Sequence, residues 1–168
     1  MNSAYWNCLG LVNISIPESI ERIEYSAFQY CDELKSVSLP SKLTIIGKDA
    51  FRDCNKLESV VSKNPVPPTI SDLTFTKLMG VVLYVPKGCV EAYRSADHWR
   101  YFEHIVEMTG VKGDVNQDNE VSLADAMQMV DAILGSDGPV IPIDFSDMNG
   151  DGDLTLADVM AVVDVILK

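Results

Sequence analysis

The stretch 147-DMNGDGDLTLAD-158 decides how this chain is read. It sets Asp147, Asn149 and Asp151 at alternate positions, follows them with Asp153 and closes on Asp158. Calcium takes roughly six to eight hard oxygen ligands in flexible geometry, and a twelve-residue loop supplies them from positions 1, 3, 5, 7 and 12. Position 7 gives its main-chain carbonyl, so Asp153 counts there through its backbone. Gly152 at position 6 suits the sharp turn, where a positive φ is cheap only for glycine. The pattern occurs earlier as 114-DVNQDNEVSLAD-125, and a shift of 33 carries Asp114, Asn116, Asp118 and Asp125 onto their counterparts. Asp131, Ile133 and Leu134 return in the same way as Asp164, Ile166 and Leu167. The candidate ligands are therefore Asp114, Asn116, Asp118, Glu120 and Asp125 for one calcium ion, and Asp147, Asn149, Asp151, Asp153 and Asp158 for a second. Asp125 and Asp158 are expected to give both carboxylate oxygens, with Ser122 and Thr155 at position 9 acting through water. The rival reading of each loop is a solvated acidic turn.

Charge separates this region from the rest. Residues 1–110 carry 11 Lys+Arg against 13 Asp+Glu, a net of −2, whereas residues 111–168 carry 2 against 12, a net of −10. That imbalance argues for two modules, with the acidic one binding metal. Two calcium ions bring it from −10 to −6 and relieve self-repulsion. Nucleic acid is a poor partner, because phosphates need clustered Lys and Arg. No run approaches the roughly 18 apolar residues of a membrane span. The opening MNSAYWN lacks the basic start and apolar core of a signal peptide.

Upstream, the chain repeats with a period of 23. Leu11, Leu34 and Leu57 align, as do Ile14, Val37 and Val60, and Cys8, Cys31 and Cys54. Ala4-Tyr5 aligns with Ala27-Phe28 and Ala50-Phe51. A fixed period of about 20–29 with leucines at this spacing indicates a leucine-rich solenoid, whose units stack to share one core. LVNISIP and LKSVSLP read as parallel strands, and IERIEYSAF and LTIIGKDAF as the return across the other side. The prolines of NPVPPTI mark a loop. Residues 81–85 read as a further strand, 91–99 as a short helix turning Tyr93 and Trp99 inward, and 104–106 as a last strand. The chain enters mid-repeat at Tyr5, Trp6, Cys8 and Leu9, so it is expected to be the carboxyl-terminal piece of a longer secreted protein.

Two resemblances follow from these residues. Paired calcium loops with Asp125 and Asp158 at position 12, each followed by one helix, and with no helix in TGVKG before the first, resemble dockerin modules over about residues 113–168. The resemblance implies a calcium-dependent docking domain whose usual partner is a cohesin domain on a scaffold or surface protein. It also implies partner contacts just before position 12 and along the following helix: Leu123, Ala124 and Asp131 in one copy, Leu156, Ala157 and Asp164 in the other. Because the copies match there, it implies two binding orientations; the rival reading folds Leu123 and Leu156 into the core of the module. Asn119 departs from the family pattern at position 6; because Asn tolerates the left-handed region better than most residues, the first loop is expected to work, as the weaker of the two sites. The wording IPESIERIEYSAFQYCDELKSVSLP resembles BspA-like leucine-rich repeats over about residues 4–108, with LYVPKGCVEAYRSADHW resembling their terminal cap. That implies a non-catalytic binding or adhesion array.

The expected fold class is α+β: a short leucine-rich-repeat solenoid with parallel strands and a terminal cap over residues 1–109, then a small all-α paired-calcium-loop domain over 110–168. Residues 109–113 read as a linker, 135–139 as the stop of the first module helix, and 140–145 as an extended apolar return. Met127, Val130, Ile133 and Leu134, with Met160, Val163, Ile166 and Leu167, recur at helical spacing and are expected to pack the two helices together. The cysteines at one repeat position read as a ladder of buried thiols, with Cys89 structural; an extracellular setting leaves a disulfide open. His98 and His104 lack a partnered nucleophile or carboxylate, and Trp6 and Trp99 read as packing residues. Asn13, Ser15, Lys35, Ser36, Ser38, Glu58 and Ser59 are expected to face outward, as a partner surface or as an ordinary solvated face. The function expected is non-catalytic attachment at the cell surface or outside the cell, with a cohesin-like or surface protein docking to the calcium module and the repeats presenting a protein- or glycan-binding surface. Alternatives are a calcium clasp capping the solenoid, or an anchor for an upstream catalytic region.

Overall fold

The computed structural model describes residues 7–8, 10–135 and 141–168. The expectations at Ala4, Tyr5, Trp6 and Leu9, and most of those at 135–140, lie outside these residues. The chain divides into two compact units, Met1–Glu107 and Met108–Lys168.

The first unit is a parallel solenoid. Strands β1 (Asn13–Ser15), β3 (Ser36–Leu39), β5 (Ser59–Ser62), β6 (Val82–Val85) and β7 (His104–Glu107) form one sheet in the order β1-β3-β5-β6-β7. The register advances by the sequence period: Asn13 pairs with Ser36, Ser36 with Ser59 and Ser59 with Val82. On the opposite side β2 (Arg22–Ile23) pairs with β4 (Ile45–Ile46). Between the two sheets lie Leu34, Val37, Leu39, Leu43, Leu57 and Val60, all essentially out of water. Each such side chain contributes about 1.5–3 kcal/mol by burial.

The aromatic repeat position builds a column along the solenoid. Phe28 stacks on Phe51 at 5.1 Å and Phe51 on Phe75 at 5.0 Å, with nearly parallel rings. Trp99 and Phe102 close the column at 5.8 and 5.6 Å from Phe75. The cap consists of α1 (Val90–Ser95) and a 3-10 turn (Trp99–Tyr101), shorter than the helix expected over 91–99. Tyr93 and Trp99 do turn inward. Each finds a partner for its polar end: Trp99 Nε1 donates to the Pro68 carbonyl at 2.7 Å, and the Tyr93 hydroxyl donates to the Asn64 carbonyl at 2.8 Å while meeting Ser62 Oγ at 2.6 Å.

Repeat-to-repeat polar pairs run outside the core, Lys56 to Glu33 at 2.7 Å, Asn55 to Asp32 at 2.9 Å and Ser41 to Glu18 at 2.9 Å. The Cys31 and Cys54 side chains are buried, and Cys8 is half-buried. Burial raises both buried thiols, that of Cys54 to about 12.

One expectation about the sheet face fails. Asn13 and Ser15 are exposed and Lys35 and Glu58 half-exposed, but Ser36, Ser38 and Ser59 are buried. Neighbouring strands lie only about 4.8 Å apart. Ser36 sits between Asn13 and Ser59, and Ser38 between Ser15 and Val61, so these short side chains are hidden by their ladder neighbours.

Candidate metal centre

The second unit contains α2 (Leu123–Ile133), α3 (Ile143–Ser146) and α4 (Leu156–Ile166). α2 and α4 begin at the ends of the two acidic loops, and sequence chemistry fixes both starts. Ser122 and Thr155 are N-caps, accepting from Ala124 N and Ala157 N, and Asp125 and Asp158 complete capping boxes. The position-9 residues thus act as caps within the chain. α3 replaces residues 143–145 of the extended return expected over 140–145, while Pro142 is extended as expected. Pro142 precedes it, and the proline ring holds φ at a helical value.

The helix faces differ from expectation by a fraction of a turn. Ala126 and Met129 of α2, with Val159 and Val162 of α4, are the buried residues, while Met127, Leu134, Met160, Ile166 and Leu167 are exposed. Both helices are apolar on more than one side, so periodicity fits two faces. The position-12 aspartate chooses between them. Asp125 and Asp158 turn into their loops, and the residues four places on, Met129 and Val162, follow them inward.

Each loop is closed by its carboxylates. Asp125 Oδ1 accepts from Val115 N and Asn116 N at 2.9 and 3.2 Å, and Oδ2 from Ser122 N and Oγ at 2.9 and 3.1 Å. Asp158 repeats this with Met148 N, Asn149 N and the Thr155 N and Oγ1 at 2.8, 3.2, 2.9 and 3.0 Å. Position 1 holds position 6: Asp114 Oδ2 accepts from Asn119 N, and Asp147 Oδ2 from Gly152 N, both at 3.0 Å. Positions 3 and 5 are linked through Asn116 Nδ2 to Asp118 and Asn149 Nδ2 to Asp151, both at 2.8 Å. Glu120 and Asp153 are exposed and donate their backbone N–H groups to Asp118 and Asp151 at 2.8 and 2.9 Å.

The backbone separates the two copies. Loop 2 has glycines at its left-handed positions, Gly150 (φ 82) and Gly152 (φ 91), where loop 1 has Gln117 (φ 61) and Asn119 (φ 77). Asn119 adopts the conformation expected of it. Gln117 was not singled out from sequence; its side chain donates to the Asp114 carbonyl and accepts from Thr109 N at 3.0 Å. The signal lay in the alignment of Gln117 with Gly150.

Asp114, Asp125 and Asp158 are fully buried, and among the described residues none forms an ion pair with Lys or Arg. A buried anion without a cation is costly. For Asp158 burial acts to raise the pKa, but the hydrogen bonds from Thr155, Asn149 and Met148 prevail and hold it below the ordinary carboxylate value. Among the described residues no three acidic, His or Cys side chains converge on a single point. The loop donors also include Asn116, Asn149 and main-chain carbonyls, and the carboxylates that count are turned to backbone N–H groups. The donor set is all hard oxygen, matched to calcium and not to zinc. The candidate partner residues lie elsewhere: Leu123 and Leu156 are each 63% exposed, which removes them from the module's own core, and Ala124, Asp131, Ala157 and Asp164 are also exposed.

The family of BspA type leucine rich repeat regions matches residues 1–81 in six copies, and the dockerin type I domain family matches residues 112–167. The chain therefore carries a BspA-type repeat region followed by a dockerin type I domain, a calcium-binding module that works through a protein partner. Both are non-catalytic binding or repeat modules. The comparison with curated proteins finds no match. No helix among the described residues is long and apolar enough to cross a membrane.

Proposed function

We propose that the chain is a non-catalytic attachment protein acting outside the cell or at its surface, in which two calcium ions fold residues 110–168 into a docking domain for a cohesin-like partner. The observation that carries this reading is the pair of carboxylate loops with matching hydrogen bonds, each with a fully buried position-12 aspartate that, among the described residues, has no Lys or Arg ion-paired to it. Asp114, Asn116, Asp118, Asp125 and the Glu120 carbonyl hold one ion, and Asp147, Asn149, Asp151, Asp158 and the Asp153 carbonyl the other. A bound ion supplies positive charge to buried carboxylates, so its binding free energy becomes folding free energy. Leu123, Ala124 and Asp131, with Leu156, Ala157 and Asp164, form the contact positions, and the repeats of residues 1–109 carry a second binding surface. The test is capture of the full chain by immobilised cohesin domains in calcium and in chelator. Capture in calcium alone supports the reading; capture by none, or equally in chelator, contradicts it.

A further inference from the structure

The cap of the repeat unit closes the aromatic column but leaves a cavity beside Phe75. Buried Ile70 and Phe75, with half-buried Leu78, give it an apolar lining, and the exposed Asp72 and Tyr101 join His98 to complete it. Its volume is about 70 Å³. One water needs about 10–15 Å³ of such space, so the cavity takes a group of roughly five to seven heavy atoms. No Lys or Arg lines it, and among the described residues the Asp72 carboxylate has no ion pair or side-chain hydrogen bond. Arg100, next along the turn, is engaged elsewhere: it pairs with Asp97 at 3.3 Å, and its guanidinium lies 5.5 Å from the centre of the Tyr101 ring.

His98 lines this cavity at a cost that packing does not explain. It sits at φ 65 and ψ −30, a conformation that a residue with a side chain adopts under strain. Its Nδ1 is buried with no hydrogen-bond partner among the described residues. Glycine here would relieve the backbone but would take away the ring that lies 6.1 Å from that of Tyr101. Strained and unsatisfied residues collect at ligand sites.

We propose that this cavity binds a lysine side chain of a partner protein. The alkyl stem and compact ammonium of lysine fall within its size, whereas a pyranose with its hydroxyls, at roughly twice as many heavy atoms, exceeds it. The stem lies against Ile70, Phe75 and Leu78, the ammonium meets the unpaired Asp72 carboxylate, and the Tyr101 ring faces the charge. Free lysine is the poorer occupant, because its α-carboxylate finds no cation in the lining and an aspartate near it. The inference gives the binding surface proposed for the repeats a place and a ligand class, and rests on that part of the proposal. All its residues lie in the first unit, and it is independent of calcium docking.

The test follows the amide NMR resonances of the full chain during titration with Nα-acetyl-lysine amide, its norleucine counterpart and free lysine. Saturable shifts centred on residues 70–78 and 98–101 are expected with the capped lysine, and binding about fivefold or more weaker with the other two. Asp72→Asn is expected to weaken the capped lysine about fivefold and Tyr101→Ala about threefold. The melting temperature of the repeat unit should stay unchanged in both variants, because both side chains are exposed. Absent shifts, equal binding of the norleucine compound, or indifference to both substitutions overturns the inference; saturable shifts elsewhere on the repeats overturn it while leaving them a binding surface. Tighter binding of free lysine overturns the assignment to a partner protein. Because no cohesin enters this test, its failure leaves the docking reading to its own experiment.

Discussion

Phe51 in the repeat unit and Asp158 in the loop unit are both out of water, at 1% and 0% exposure. Phe51 is held between two parallel phenyl rings in a core where the polar ends of Trp99 and Tyr93 are satisfied by the chain itself. Asp158 carries a negative charge that four hydrogen bonds stabilise but none neutralises. Burying a ring contributes hydrophobic free energy directly, whereas burying a carboxylate requires something to meet its charge. The repeat unit thus meets the cost of burial with its own side chains, whereas in the loop unit the buried carboxylates are where the proposed calcium ions would act.

The largest effect that can break this contrast is on the aromatic column. Phe51→Ala removes the central ring and is expected to cost about 3–5 kcal/mol. Thermal melting should show the loss in the transition of residues 1–107 and leave calcium uptake unchanged. A variant that instead loses calcium binding would mean that the repeat core governs the loops.

A smaller effect sharpens the chemistry of the cap. Tyr93→Phe leaves the Asn64 carbonyl and Ser62 hydroxyl without their shared partner, at about 1–3 kcal/mol. Alkali probes the same group. Burial raises Tyr93 from 10.0 to about 12 and Cys54 from 9.0 to about 12. Both folded values lie above the unfolded ones, so their contribution is whole below the ordinary values and is lost as the pH climbs toward about 12. Circular dichroism across that window should show the repeat unit weakening, and Tyr93→Phe should remove part of the slope.

The smallest effect separates the loops. Asn119→Gly relieves a left-handed residue whose side chain is exposed, and is expected to strengthen the first calcium site by about 1 kcal/mol or less. Gln117→Gly relieves the same conformation but also removes two hydrogen bonds, to Asp114 and from Thr109, so it should weaken that site. Calorimetry on the two variants reads the opposite signs.

Much of this was legible in the residues. The 23-residue period fixed which residues stack, and the strand register follows it from Asn13 to Val82. The loop spacing placed Asp125 and Asp158 where they cap their helices and close their loops. The helix faces were not legible, because a helix such as LADAMQMVDAI is apolar on two sides and only the inward pull of Asp125 decides between them. Ser36, Ser38 and Ser59 misled for a related reason: polarity predicts a solvated face, but a serine between close strands is covered by its neighbours. The short helix at Ile143–Ser146 was hidden by its apolar, proline-led sequence, which reads equally as extended chain.

Calcium titration of the full chain by calorimetry, with melting in calcium and in chelator, tests the central claim most directly. The account predicts uptake of two ions and, in chelator, loss of the transition belonging to residues 108–168 while that of the repeat unit persists. No calcium uptake, or a loop-unit transition indifferent to chelator, would contradict it.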